Sequence, residues 1–484
     1  MKKFIVIIIA FLTAALSAAA FTGCKKKSVN KTCYDIFASY DETNRTLSAT
    51  VDFKFYNDTD NELSELKFNM YGNAFREDAT FKPVSSSYEN RAYYAGKSYG
   101  EMNIESVENC ASWNVCGEDE NVLSVTLSTP VYPDETVSLK ITYTLVLAQI
   151  NHRTGVTENT VNLGNFYPVL CKYTAEGFIE TPYYTCGDPF VSECANYSVT
   201  IEVPHNYICA SSGKPTGEVA SSARKKCSFV LENARDFALV LSDKFQVVSS
   251  EANGVTVNYY YVSDTNPQTS LSAACDSMKY FSDTFGKYAY PTLSVVQTGF
   301  CYGGMEYPGL TMIADDLNSD MNVYTIVHEN AHQWWYAMVG SDQLNNAWQD
   351  EGLAEYSSVM FFENHPTYGF TRLGLVGQAT KSYRAFFSVY NQIFGETDTS
   401  MTRNLSQYAS EYEYSNISYN KGMIMFDTLR QSIGDDKFIS GLKKYFEENK
   451  FTVASAEDLF GCFIKNGNDL EGFFSSFTEG KIVI

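Results

Sequence analysis

The chain has 484 residues, of which 44% are apolar and 19% are charged, so it can bury a large core and is not a disordered protein. Its formal net charge of −21 argues against a nucleic-acid partner, because phosphate backbones bind basic surfaces. The length predicts two or more domains.

The first 23 residues are a targeting segment and are excluded from the fold. Lys2 and Lys3 precede an unbroken apolar stretch that ends in small residues, the pattern of an export signal. The stretch closes on FTGC, which resembles the lipobox of bacterial lipoproteins, with Cys24 as the lipidated residue. We therefore expect a signal peptide at 1–23, a tether at 24–32, and a lipid on Cys24 that anchors the chain to the outer face of a bacterial membrane. A plain cleaved signal and an uncleaved anchor helix remain open.

From about residue 33 to 262 the apolar residues alternate with polar ones. In LSATVDFKF, residues 47–55, every second side chain is apolar, and VSLKITYTLVL and YSVTIEV repeat this period between turn-rich segments. A period of two is typical of half-buried strands. Residues 33–248 are therefore predicted to form an antiparallel β-sandwich domain.

Eleven cysteines follow Cys24, and none forms a Cys-x-x-Cys pair. Cys110 with Cys116, and Cys186 with Cys194, could form local disulfides after export. The spacing does not fix the pairing.

After SDTNPQ, residues 263–268, the period lengthens toward that of a helix. The strand GVTVNYYYV, residues 254–262, could belong to either side, so the boundary is placed near residue 248 and residues 249–484 are predicted to form a second domain. Its central motif is YTIVHENAHQWWYAMVG, for which we expect a helix capped by Asp320 or Asn322 and ending at Gly340. Residues four apart share one helix face, so His328 and His332 can bind one metal ion. Glu329 points elsewhere and can reach a water molecule instead of the metal. The competing interpretation is a pair of ordinary core or surface histidines.

A catalytic zinc site needs a third protein ligand. Eighteen residues separate His332 from Glu351, which lies in a second helical pattern with Asn346 as a possible cap and NHP at its end. Two histidines and one glutamate make a zinc-binding set. Glu355, one turn beyond Glu351, supports a ligand or is a surface acid, and the surface interpretation is favoured.

His-Glu-x-x-His followed by eighteen residues and a glutamate resembles the gluzincin metallopeptidases, in particular the aminopeptidase N family. GFCYGGMEYPGL, residues 299–310, is similar to that family's Gly-x-Met-Glu-Asn exopeptidase loop. SYNKG resembles the family's Tyr-x-Lys-Gly helix, and GNFYPVL its N-terminal sandwich. The resemblance covers nearly all of the chain from residue 40, and it implies an α+β multidomain protein whose β-sandwich is followed by a thermolysin-like mixed α/β catalytic domain.

The resemblance also implies the roles of the site residues. One Zn²⁺ per chain is held by His328, His332 and Glu351. Glu329 is the general base, and Tyr419 donates a hydrogen bond to the oxyanion, with Tyr414 as a weaker candidate. Gly303, Gly304, Met305 and Glu306 bind the substrate, and Glu306 pairs with its free α-ammonium.

Two features depart from the family pattern. Tyr307 stands where the family usually has asparagine, and about 65 residues follow Tyr419 where relatives often carry a large helical domain. The expected function is a zinc aminopeptidase that acts at the cell surface on peptides with a free N-terminus. The alternatives are a peptidase of this fold without strict N-terminal preference, and a catalytically dead surface binding protein.

Overall fold

The computed structural model describes residues 31–464 and 470–481. The predicted signal peptide and the lipidated Cys24 lie outside these residues. The described residues from Thr32 onward group as one compact unit. In the part of the chain that is described, no helix combines the length and the apolar character needed to cross a membrane.

The first half of this unit consists almost entirely of β-strands. They are β1 (Cys33–Asp41), β2 (Thr46–Tyr56), β3 (Leu63–Asn69), β4 (Glu101–Glu108), β5 (Cys110–Cys116), β6 (Val122–Val131), β7 (Thr136–Val146), β8 (Thr154–Val156), β9 (Val161–Gly164), β10 (Val169–Leu170), β11 (Tyr173–Thr174), β12 (Gly177–Phe178), β13 (Ala195–Pro204), β14 (Ile208–Ser211), β15 (Lys214–Ala220), β16 (Arg224–Ala234) and β17 (Ala238–Ser242). A short helix, α1 (Glu89–Ala92), and a 3₁₀ turn at Tyr71–Phe75 interrupt them.

Seven of these strands form one sheet in the order β15-β16-β13-β1-β2-β7-β4, and β10-β3-β6-β5 form a second. The alternating apolar residues of β2 are buried, as the period predicts. Phe53 of β2 packs against Phe68 of β3 with ring centroids 5.1 Å apart, so the two sheets pack face to face. The predicted sandwich is confirmed, although β1 and β13 pair in parallel within the larger sheet.

The second half is built on a five-stranded sheet in the order β18-β19-β20-β22-β21. Its strands are β18 (Gln246–Ala252), β19 (Val255–Tyr261), β20 (Thr292–Thr298), β21 (Gly304–Met305) and β22 (Leu310–Ala314). β19, β20 and β22 run parallel, and β21 is an antiparallel edge strand. The predicted domain boundary near residue 248 falls inside β18 and stays a prediction.

Helices pack around this sheet. They are α2 (Pro267–Thr284), α3 (Ser319–Ala331), α4 (Trp348–Asn364), α5 (Arg372–Phe394), α6 (Glu411–Tyr414), α7 (Gly422–Ile433), α8 (Asp435–Asn449), α9 (Ala456–Ile464) and α10 (Glu471–Thr478). Two π-helical segments, Gln333–Met338 and Ser415–Lys421, and 3₁₀ turns at Pro366–Tyr368 and Leu405–Gln407 complete the described elements. The mixed α/β architecture predicted for this half is confirmed.

The predicted caps of the motif helix are wrong. Asn318 caps α3, because its side chain accepts a hydrogen bond from the backbone N–H of Met321. Asp320 lies inside the first turn, and the amide of Asn322 donates to Ser270 Oγ at 2.9 Å. The helix also does not continue unbroken to Gly340, because the backbone widens into the π-helical segment after His332.

Of the two predictions for the ends of α4, one is wrong and one is confirmed. α4 begins at Trp348 without a side-chain cap, so Asn346 is not its cap, but the helix does end at Asn364 before His365 and Pro366. Among the described residues no disulfide joins Cys110 to Cys116 or Cys186 to Cys194, so neither of the two local disulfides considered is formed.

Candidate active site

Helix α3 carries the two motif histidines into the interior. His328 lies in its last turn and His332 directly follows it, so both imidazoles project from one face. Their Nε2 atoms are 3.1 Å apart, and both side chains are buried. Two imidazole nitrogens this close can share a proton in a hydrogen bond or bind one metal ion between them.

Glu351, in the first turn of α4, completes the group. Its Oε2 lies 3.4 Å from His328 Nε2 and 3.2 Å from His332 Nε2. Ligand atoms of a tetrahedral zinc ion with bonds of about 2.0–2.1 Å are about 3.3 Å from one another. The three side chains therefore fit a zinc ion, and they form one of two groups among the described residues that could hold a metal.

The electrostatics of this group also favour a cation. Burial opposes ionisation of Glu351, but the neighbouring His332 outweighs it and lowers the pKa of Glu351 to about 2. Burial likewise opposes a charged His332, yet Glu351 raises the pKa of that imidazole well above its usual value. The pocket thus stabilises positive charge between these two residues.

Glu355 is not the surface acid favoured from the sequence. Its side chain is only 13% exposed, its Oε1 lies 3.5 Å from His328 Nδ1, and it accepts a hydrogen bond from the Tyr324 hydroxyl. This contact is too long for a hydrogen bond, but it places a carboxylate next to Nδ1 while Nε2 faces His332 and Glu351. Glu355 therefore supports a ligand, as its place one turn after Glu351 could have indicated.

Glu329 is buried against the edge strand. A Cβ on Gly304 would overlap its carboxylate, so glycine at this point lets β21 approach the acid closely. Its Oε2 has no hydrogen-bond partner among the described residues. Burial raises the pKa of Glu329 well above its usual value, and the charge of Glu306 raises it further. A buried carboxylate with an unused oxygen is suited to accept a proton.

Tyr419 reaches the metal group from the second π-helical segment. Its hydroxyl donates to Glu351 Oε1, and its ring stacks on His328 with centroids 5.9 Å apart. The approach is possible because α4 and α7 meet backbone to backbone at Gly352 and Gly422, where an added Cβ on either would overlap the other. Burial raises the pKa of Tyr419, so the phenol remains a donor.

Tyr414, the weaker candidate, lies behind Tyr419. Its ring packs edge-on against the ring of Tyr419 with centroids 5.7 Å apart, and it is buried. This arrangement supports Tyr419 mechanically and favours Tyr419 as the hydrogen-bond donor at the metal group.

Glu306 follows the edge strand and is buried beside His332. Gln343 Nε2 donates to Glu306 Oε1 at 3.0 Å and to Asp350 Oδ2 at 2.7 Å. Glu306, His332 and Asp350 form the second potential metal-binding group, with ligand atoms within 4.8 Å of one another. This amide-bridged carboxylate pair offers a strong site for a cation next to the zinc ligands.

The other residues of the predicted substrate loop have different surroundings. Gly303 has open space on its Cβ side, whereas Met305 is buried and its sulfur accepts a hydrogen bond from Arg153 Nε at 2.9 Å. The loop therefore has an open side at Gly303 and an anchored side at Met305.

Sequence reasoning missed Gln343 and Asp350. Gln343 lies in an irregular connection with no periodic signal, so only the tertiary structure identifies it. Asp350 directly precedes Glu351 and its Oδ1 accepts from the Glu351 N–H at 2.9 Å. Its position beside a predicted ligand was a usable signal.

Residues 269–477 match the family model described as the Peptidase family M1 domain. Similar curated proteins include aminopeptidase M1-D of Oryza sativa subsp. japonica, 23% identical over 59% of this chain and 34% of the relative. Human endoplasmic reticulum aminopeptidase 2 is 24% identical over 51% of this chain and 26% of its own length. Leukotriene A-4 hydrolase of Xenopus laevis is 27% identical over 37% and 30%. The chain spans about a third or less of the length of these relatives.

The fold has close counterparts among solved structures. The M1 zinc metallopeptidase of Deinococcus radiodurans superposes with a TM-score of 0.67 at 18% identity, covering 94% of this chain and 96% of that chain. A mutant of it bound to a Tyr-Ser-Ala substrate gives a TM-score of 0.64 at 17% identity, with coverages of 94% and 95%. These solved structures support the fold. The match to the Peptidase family M1 domain supports a relationship to that family and, together with the His-His-Glu group, the predicted zinc cofactor.

Proposed function

We propose that this chain, which carries a peptidase family M1 domain, is a zinc-dependent aminopeptidase that removes N-terminal residues from peptides. The observation that carries the proposal is the place of Glu306. Its carboxylate is buried next to His332, at the end of an edge strand that a peptide can lie along.

His328, His332 and Glu351 would hold the zinc ion, with Glu355 orienting His328. Zinc bound there would act as a Lewis acid on the scissile carbonyl and lower the pKa of a water molecule. The unused oxygen of Glu329 accepts the proton of the attacking water and delivers it to the leaving amine.

Tyr419 supplies a hydrogen-bond donor for the negative charge that develops on the carbonyl oxygen. In the structure its hydroxyl donates to Glu351. Turned toward a bound substrate, the same hydroxyl would donate to that oxygen, in a site from which bulk water is largely excluded.

The substrate class follows from the edge strand and the carboxylates. β21 has a free edge in its five-stranded sheet, so the backbone of an extended peptide can pair with it. Glu306 would pair with the free α-ammonium and so fix the first peptide bond beside Glu329. Peptides with a free N-terminus are therefore the proposed substrates.

The test compares a panel of aminoacyl chromogenic amides with their N-acetylated forms, on protein whose zinc content is measured. We expect one zinc per chain, turnover of the free amides, and poor turnover of the acetylated ones. Equal rates on both would replace the proposal with a zinc peptidase lacking N-terminal preference. Zinc without turnover of any peptide or amide would indicate a binding protein.

We further propose that the enzyme works at the outer face of a bacterial membrane, held by a lipid on Cys24. Support comes from the FTGC sequence after the apolar segment. The Cys24→Ala variant should lose lipid labelling and leave the membrane fraction. If the variant stays in the membrane, an uncleaved N-terminal anchor accounts for the location instead.

A further inference from the structure

Tyr307 directly follows Glu306, and its side chain points toward the predicted sandwich domain. The ring is fully buried, and its hydroxyl donates to Asn165 Oδ1 at 2.6 Å. Burial raises the pKa of this phenol well above its usual value, so it remains a donor. The contact joins the substrate loop to the sandwich, 142 residues earlier in the chain.

The predicted sandwich domain receives this ring through a further four-stranded sheet, in the order β14-β17-β9-β8. Gly164, the last residue of β9, lies under the phenol, and a Cβ there would overlap the Tyr307 hydroxyl. Asn165 adopts a left-handed backbone with φ 49°, which asparagine tolerates better than most residues and which brings its side chain to the slot. Gly164 and Asn165 therefore make a seat that fits tyrosine at position 307.

The seat continues into a buried chain of hydrogen bonds. Asn165 Nδ2 donates to Asp236 Oδ1 at 3.1 Å, and the Tyr336 hydroxyl donates to the other oxygen of Asp236. Tyr336 lies in the π-helical segment four residues after His332. The chain thus links the loop that carries Glu306 to the segment that follows a zinc ligand.

The backbone of Tyr307 is held as well. Its carbonyl accepts from Gln333 Nε2 at 3.1 Å and from the Leu310 N–H at 3.0 Å. Gln333 is the residue after His332. Glu306 is therefore held at two points: its carboxylate by Gln343, and its backbone by the anchoring of the neighbouring Tyr307 to Gln333.

We propose that Tyr307, seated on Gly164 and Asn165, is a positioning residue that fixes Glu306 for recognition of the substrate α-ammonium. The proposal rests on the aminopeptidase function proposed above and adds a specificity determinant from the sandwich domain.

The test uses Tyr307→Phe, which keeps the ring in its slot and removes only the donor. Two substrates are compared: an alanyl anilide and its des-amino counterpart, the propionyl anilide, which differ only in the ammonium. We expect KM for the alanyl anilide to rise roughly 5- to 100-fold, with kcat within about twofold. Kinetic constants for the propionyl anilide and the zinc content should not change.

Tyr143→Phe is the matched control, because Tyr143 is also fully buried and its hydroxyl makes one hydrogen bond, to the Phe166 carbonyl at 2.9 Å within the sandwich. It should lower the melting temperature about as much as Tyr307→Phe without changing the ratio of kcat/KM values for the two anilides. Gly164→Ala, which displaces the ring, should lower that ratio as Tyr307→Phe does. Calorimetric binding of leucine amide to zinc-free protein should weaken in the Tyr307 and Gly164 variants and stay unchanged in Tyr143→Phe.

Equal losses on both anilides, or an unchanged ratio in a folded Tyr307→Phe protein, would overturn the positioning role and leave the aminopeptidase proposal intact. A wild type that cleaves both anilides equally well would remove the aminopeptidase proposal, and this inference with it. The wild-type ratio and the variant ratio therefore distinguish the two failures.

Discussion

The zinc-binding group and the Glu306 group are neighbours, yet the chain builds them differently. The three side chains proposed to bind zinc lie on α3, directly after it, and on α4, and the two histidines are placed by helical spacing alone. Glu306 comes from a short edge strand and depends on Gln343, on Tyr307 and, through Asn165, on the sandwich. A group fixed by local geometry changes little when distant residues change, whereas a group held by long-range contacts can be retuned from far away.

The largest expected effect is the loss of zinc from the group formed by His328, His332 and Glu351. His332→Ala should remove zinc and all measurable activity, because two remaining ligands do not hold the ion and the carboxylate of Glu351 loses its partner. Metal analysis of the purified variant, with circular dichroism to verify folding, checks this. Full zinc occupancy in the variant would rule out the ligand assignment.

The second prediction separates the base from the ligands. Glu329→Gln should retain zinc, because Glu329 is not one of the three metal-binding side chains, and turnover should fall about 10²- to 10⁴-fold. Steady-state rates on zinc-saturated protein measure this. Turnover within a few fold of wild type would assign proton transfer to another residue.

The third prediction concerns the oxyanion donor. Tyr419→Phe should lower kcat about 10²- to 10³-fold with zinc retained. Tyr414→Phe is the matched control, since Tyr414 packs on Tyr419 and should cost much less. The reverse order of effects would move the donor role to Tyr414.

The smallest expected effect concerns Glu355, which contacts the proposed zinc ligand His328. Glu355→Gln should weaken zinc affinity about 10- to 100-fold, because the amide orients His328 less firmly than a carboxylate. Competition with a chelator measures the affinity. An unchanged zinc affinity would show that Glu355 has no part in zinc binding.

The sequence predicts the zinc-binding group better than it predicts the surroundings of Glu306. His328, His332 and Glu351 were accessible because helical periodicity and one fixed spacing place them, and the strand period of β2 revealed the sandwich. The cap at Asn318 and the π-helical break after His332 could not be predicted from the sequence, because they depend on backbone conformations that periodicity does not report. The contact of Gln343 with Glu306 and the contact of Tyr307 with Asn165 could not be predicted either, because each joins distant parts of the chain.

The most direct test of the central claim is the ratio of kcat/KM for the alanyl anilide to that for the propionyl anilide, in wild type and in Glu306→Gln. Glu306→Gln keeps the size of the side chain and its hydrogen bonding to Gln343 but removes the charge. The account predicts that the ratio falls roughly 30- to 1000-fold while zinc content and propionyl anilide turnover stay constant. An unchanged ratio would contradict recognition of the free N-terminus by Glu306.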